Sequence, residues 1–144
     1  LEVFVQVYLR IASYQDDIWL MDVNSTKSKA NKWIAFAAEE FRQARRRWRL
    51  TSDRQFSQLT GIDARTLRKL NPEHLDGSLE KETFDYIMAT MVYLCPCFFE
   101  GKEEREKEIL LLQASWLRVS MHVRDIHPKA RATYEREMKS QEQA

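Results

Sequence analysis

Glycine and proline, the residues that most readily interrupt a helix, occur only three times each in 144 residues. A sandwich or barrel needs many tight turns, and this chain has few residues suited to them. A mostly helical fold is therefore predicted, and the apolar spacing agrees. Trp33, Ala37, Phe41, Ala44 and Trp48 recur at four, four, three and four residues, which is one helical face. They predict a helix over about 30–49. Phe84, Ile87, Met88, Met91 and Val92 repeat the pattern and predict a helix over 79–94, ended by Pro96. Ile109, Leu112, Trp116, Val119, Val123 and Ile126 form a heptad-like seam, with Leu110 and Leu117 as a second stripe. They predict one long C-terminal helix from near Lys102 to a stop at His127-Pro128. Residues 129–144 are polar and are expected to fray.

The N-terminus reads differently. In VFVQVYLRI, residues 3–11, Val3, Val5, Val7, Leu9 and Ile11 alternate as in a strand. Residues 13–17 look like a turn and 18–23 like a returning strand, so a β-hairpin is expected, with an amphipathic helix as the alternative. The chain begins at Leu1 without a methionine. The first twenty residues are read as a fragment start or as non-native, with Met21 as an alternative native start, and carry little functional weight. They lack a basic n-region and a small-residue cleavage site, so no signal peptide is expected.

Hydrophobic residues make up 44% of the chain, enough for a real core. No apolar run approaches the roughly 18 residues of a membrane span, and no membrane association is expected. Three segments are predicted: an arm over 1–23, a helical domain over 24–100, and a dimerisation helix with a polar tail over 101–144. Cys95 and Cys97 lie too close together to staple a fold, and a reducing cytoplasm is the simple reading. As a zinc pair with His122 or His127 their spacing is too short, so two small apolar thiols after a helix are expected. No nucleophile, metal or carboxylate set has the spacing of a catalytic site. No enzymatic activity, metal or cofactor is expected.

Net charge is only +1, but it is segregated. Between Phe41 and Leu70, nine cations face two carboxylates, a local +7 that leaves −6 for the remainder. The basic stretch contains SQLTGIDARTLRKL, residues 57–70, where two short helical patterns meet at Gly61. Ser52 and Gln55 fit a capping box for the first of them. Gly61 suits the positive φ that ends it, Asp63 is placed to cap the second (64–70), and Asn71-Pro72 closes it.

Such a pair matches a helix-turn-helix unit, whose second helix lies in the DNA major groove. Ser57 supplies a small residue, Ile62 an apolar plug, Phe56 a floor, and Leu67 and Leu70 an inner face. Arg65, Arg68 and Lys69 then face outward with Thr66 flanking them, and Arg65 and Lys69 are four apart on one face. Arg pairs bidentately with guanine O6 and N7, and Lys reaches the same atoms. Ser52, Arg54 and Gln55 are candidates for phosphate, joined by Thr66 and by Arg45 and Arg46 at the end of the preceding helix. Trp48 lies on the apolar face and is expected to be buried.

Residues 30–100 resemble the Cro and phage-repressor type of helix-turn-helix domain, a bundle of about five helices. The likeness rests on Ala37 to Arg45, on TSDRQFSQLTGIDARTLRKLN, and on the helix at 79–94 with the CPCFFEG that follows. It covers about half the chain and implies duplex DNA binding, usually by a dimer on a two-fold site. It also implies repression of a phage, plasmid or toxin-linked promoter. Carried over by position, the base-reading residues are Ala64, Arg65 and Lys69. The sequence departs from that pattern at Ser57, where Ala is usual, in the longer loop 71–78, and at Ala64, which offers only a methyl. The seam Ile109, Leu112, Trp116, Val119, Val123 and Ile126 is the expected homodimer interface. The rival expectation is a protein-interaction module, such as an antitoxin or phage-encoded inhibitor, gripping a partner through 1–23 or 109–126.

Overall fold

A computed structural model describes residues 26–75, 77–116 and 126–143, with side chains from Trp33 onward. Among these residues the chain is all helical: α1 (Thr26–Trp48), α2 (Asp53–Thr60), α3 (Ala64–Arg68), α4 (Lys81–Phe98), α5 (Lys102–Ser115) and α6 (Pro128–Gln143). The hairpin expected over 1–23 lies outside the described residues, as do Leu117, Val119 and Val123. None of the described helices is long and apolar enough to cross a membrane.

α1 buries the predicted stripe: Trp33, Ala37, Phe41, Ala44 and Trp48 are all in the core. The helix starts at Thr26, ahead of the start expected near residue 30, and its last turn carries Arg45, Arg46 and Arg47, which suits the helix dipole. It ends with Arg49 at φ 59, the left-handed conformation usually taken by Gly. Leu50 N–H donates back to Arg45 O at 2.9 Å and Arg49 N–H to Arg46 O at 3.1 Å. Leu50 itself drops into the core. That hydrophobic anchor holds the turn that sends the chain into α2.

α4 is the central element, packing against both α5 and α6. Phe84, Ile87, Met88, Met91 and Val92 are buried as the periodicity predicts. The helix runs to Phe98, past the stop expected at Pro96. Proline there removes the backbone donor that would otherwise bond the Val92 carbonyl, a loss close to the helix end. The neighbourhood also caps that turn. Pro96 O accepts from Gln141 Nε2 at 3.0 Å and Arg105 Nη2 at 3.4 Å, and Phe99 O from Arg105 Nε at 2.6 Å.

Two C-terminal findings correct the sequence reading. The single long helix expected from Lys102 to His127 stops at Ser115. Trp116 takes extended backbone and buries its indole 5.6 Å from Trp33 and 4.9 Å from Phe84, while Nε1 donates to Asp85. A core slot between α1 and α4 therefore outweighs another helical turn. The tail expected to fray is α6, whose inner stripe is Ala130, Thr133, Tyr134, Glu137, Met138 and Gln141. Tyr134 stacks on Tyr93 of α4 at 4.8 Å, and Thr133 Oγ1 lies 2.7 Å from Leu59 O of α2. One core thus draws on both sides of the boundary expected near residue 100, from Trp33 to Ala130.

Candidate nucleic-acid interface

α2 and α3 pack against each other around a corner built as the sequence predicts. Ser52 caps α2, its Oγ accepting from Gln55 N–H at 3.3 Å. Gly61 ends α2 at φ 77, donating N–H to Ser57 O at 2.8 Å. Asp63 caps α3, its Oδ1 accepting from Arg65 N–H at 2.8 Å. Ile62 is buried as the plug, and Phe56 meets Phe41 edge-on at 5.4 Å as the floor.

The sequence reading missed two supports of this corner. Thr60 is buried, its hydroxyl donating to Phe56 O at 2.7 Å and accepting from Ile62 N–H at 3.1 Å. That single hydroxyl joins the last carbonyls of α2 to the turn. His127 presses its ring against Gly61, so that a Cβ there would overlap Nδ1. The His127 backbone N–H donates to Tyr86 Oη at 3.1 Å, and its ring Nδ1 accepts from Lys129 N–H at 3.1 Å, so backbone and ring are each tied down. Short polar links of this kind leave no hydrophobic periodicity to find.

Leu67 of α3 and Leu70 just beyond its end point inward, at 2% and 3% exposure, while Ala64, Arg65 and Arg68 are exposed. Thr66 and Lys69 are half-buried. The helix is shorter than expected: after Arg68 the backbone tightens, with Lys69 N–H bonded to Thr66 O and Leu70 N–H to Leu67 O, both at 3.1 Å. Lys69 therefore sits on a tightened turn and not on a full helical repeat from Arg65.

The candidate phosphate contacts divide. Ser52, Arg54, Gln55 and Arg46 are exposed. Arg45 instead turns inward and locks α1 to α2. Its Nε donates to Leu50 O at 2.9 Å and its Nη1 to Asp53 Oδ1 at 2.7 Å. The guanidinium also lies over the rings of Phe41 and Phe56, at 5.6 and 5.2 Å from their centroids. Arg47 is likewise internal. Its Nε and Nη2 reach the carboxylate of buried Glu108 at 2.9 Å, and Trp48 Nε1 donates to the same group at 2.8 Å. Glu108 sits in the charged run 103–108 at the start of α5. Its helical spacing from Leu112 and Ser115 puts it on their buried face.

Of the expected dimer seam, Leu112, Trp116 and Ile126 are buried in the chain's own core, and Ile109 is half-buried against it. The apolar faces of Leu112, Trp116 and Ile126 are already covered. Cys95 and Cys97 are free cysteines, buried and half-buried. Burial pushes the Cys95 thiol up to about 12 and the Cys97 thiol up to about 11, so neither offers a thiolate near neutral pH. Among the described residues, no three His, Cys, Asp or Glu side chains gather as metal ligands would.

No family model matches the chain, and neither a curated protein nor a solved structure resembles it significantly.

Proposed function

We propose that the chain is a sequence-specific duplex-DNA-binding regulator of the phage-repressor type, with α3 as the element that enters the major groove. The observation carrying this reading is the two-sided character of α3. Leu67, with Leu70 just past the helix, anchors it to the core while Arg65 and Arg68 are exposed at the surface. Arg65 and Arg68, with Lys69 and the Ala64 methyl, address base edges. Ser52, Arg54, Gln55, Thr66 and Arg46 hold the backbone on either side. The local +7 charge supplies attraction and the orienting field.

Repression by a cytoplasmic two-fold dimer completes the proposal, its subunit contact using surface other than the buried Leu112, Trp116 and Ile126. The interaction-module alternative relied partly on residues 109–126. Their buried members leave that grip mainly to the arm.

Salt dependence is the test. With six to ten phosphates neutralised, affinity for a labelled duplex is expected to fall about a thousandfold or more between 50 and 200 mM salt, by fluorescence anisotropy. Absence of binding at low salt, or affinity indifferent to salt, would overturn the proposal. Within it, Arg65→Ala is expected to cost about 1–3 kcal/mol at one base pair and to relax preference there. Arg54→Ala, at a backbone contact, is expected to weaken all sequences alike and to reduce the salt slope by about one. Competition with single-base-pair variants of a bound duplex separates the two outcomes.

A further inference from the structure

Between the C-terminal half of α1 and the end of α3 lies an open groove of about 310 Å³. That volume is at the lower end of small-molecule sites, about 300–1,000 Å³. Phe41, Leu67, Leu70 and Pro72 give it an apolar floor, while Arg42, Arg45 and Arg46 supply cations against the single carboxylate of Asp53. Arg42 is anchored at the rim, 2.8 Å from Glu39, and its hydrogen bond holds the Glu39 carboxyl below the usual range.

Arg45 matters most. Two of its nitrogens are engaged by Leu50 and Asp53, but its Nη2 is buried with no acceptor among the described residues. A buried charged donor without a partner is unfavourable, and a small rotation of the Arg45 side chain toward the groove would let an anionic acceptor there relieve it. A DNA phosphate would use the cations and leave uncovered Pro72 and the narrow edges of Leu67 and Leu70 that reach the groove. A ligand with an anionic head and an apolar body uses both.

We infer that this groove binds a small amphipathic organic anion, a carboxylate or phosphate monoester with an apolar tail. The head lies among Arg42, Arg45 and Arg46, and the tail against Leu67, Leu70 and Pro72. The inference does not depend on DNA binding, and its test uses none. Because Leu67 and Leu70 form the inner face of α3, such a ligand bridges α1 and α3.

The test titrates octanoate into the full chain and follows backbone amide shifts, with octanol and inorganic phosphate as paired probes. Saturable shifts centred on Thr51, Leu70 and Asn71 are expected for octanoate, with about tenfold weaker binding for each partial probe. The double variant Arg42→Ala/Arg46→Ala removes two exposed side chains and is expected to weaken octanoate about fivefold or more with the fold intact. Phosphate binding as tightly as octanoate would assign the groove to bare phosphate, nucleic-acid backbone included. Octanol binding equally would reduce the groove to an apolar cleft. Either outcome, or the lack of any saturable shift with octanoate, overturns the inference.

Discussion

Replacing Trp116 by alanine is expected to destabilise the chain by about 3–5 kcal/mol. The indole is 1% exposed and touches Trp33 of α1 and Phe84 of the central helix α4. Removing it leaves a void where α1, α4 and α5 meet, and leaves Asp85 without the indole N–H. Urea unfolding followed by helical circular dichroism reads the effect. With a slope of about 2 kcal/mol per molar, the midpoint should fall by roughly 1.5–2.5 M. A fall of under about 0.5 M would show that the indole is not a core residue. A charged substitution at Trp116 is consequently a test of folding before it is a test of association. Oligomeric state is better probed by the mass of the unmodified chain.

Gly61→Ala should cost about 2–4 kcal/mol, for two reasons that can be separated. An alanine at φ 77 carries a left-handed penalty of roughly 1–2 kcal/mol. The remainder comes from His127, whose ring atoms occupy the place of the new Cβ. In a His127→Ala background the same substitution is expected to cost only the conformational part, about 1–2 kcal/mol. An unchanged cost in both backgrounds would mean that His127 does not press on the corner. Gly61 thus sets the α2–α3 corner and also seats the start of α6 against it.

Much of the bundle could be read from the sequence because its helices bury large apolar side chains at regular spacing. The stripes of α1 and α4, the caps at Ser52 and Asp63, and the glycine corner are local features, and local rules found them. The failures share a cause as well. α6 docks through Ala130, Thr133, Tyr134 and Gln141, a stripe too polar to register as apolar periodicity. The helix ends at Ser115 although the apolar spacing runs on to Trp116, because the slot made by Trp33 and Phe84 that takes the indole lies far away in the chain. The burial of Glu108 escapes local rules because its partners, Arg47 and Trp48, lie some sixty residues earlier.

At the candidate interface, the inward leucines and outward arginines of α3 followed from periodicity. The inward turn of Arg45 did not, since it depends on Leu50, Asp53 and two phenylalanine rings brought together by the fold.

Recovery of bound fragments from a random duplex library bears most directly on DNA recognition by α3. The account predicts an enriched consensus with two-fold symmetry, in which one guanine-bearing position loses its preference when Arg65→Ala replaces the native chain. A library that stays random through repeated rounds, or a consensus unchanged by Arg65→Ala and Lys69→Ala alike, would contradict it.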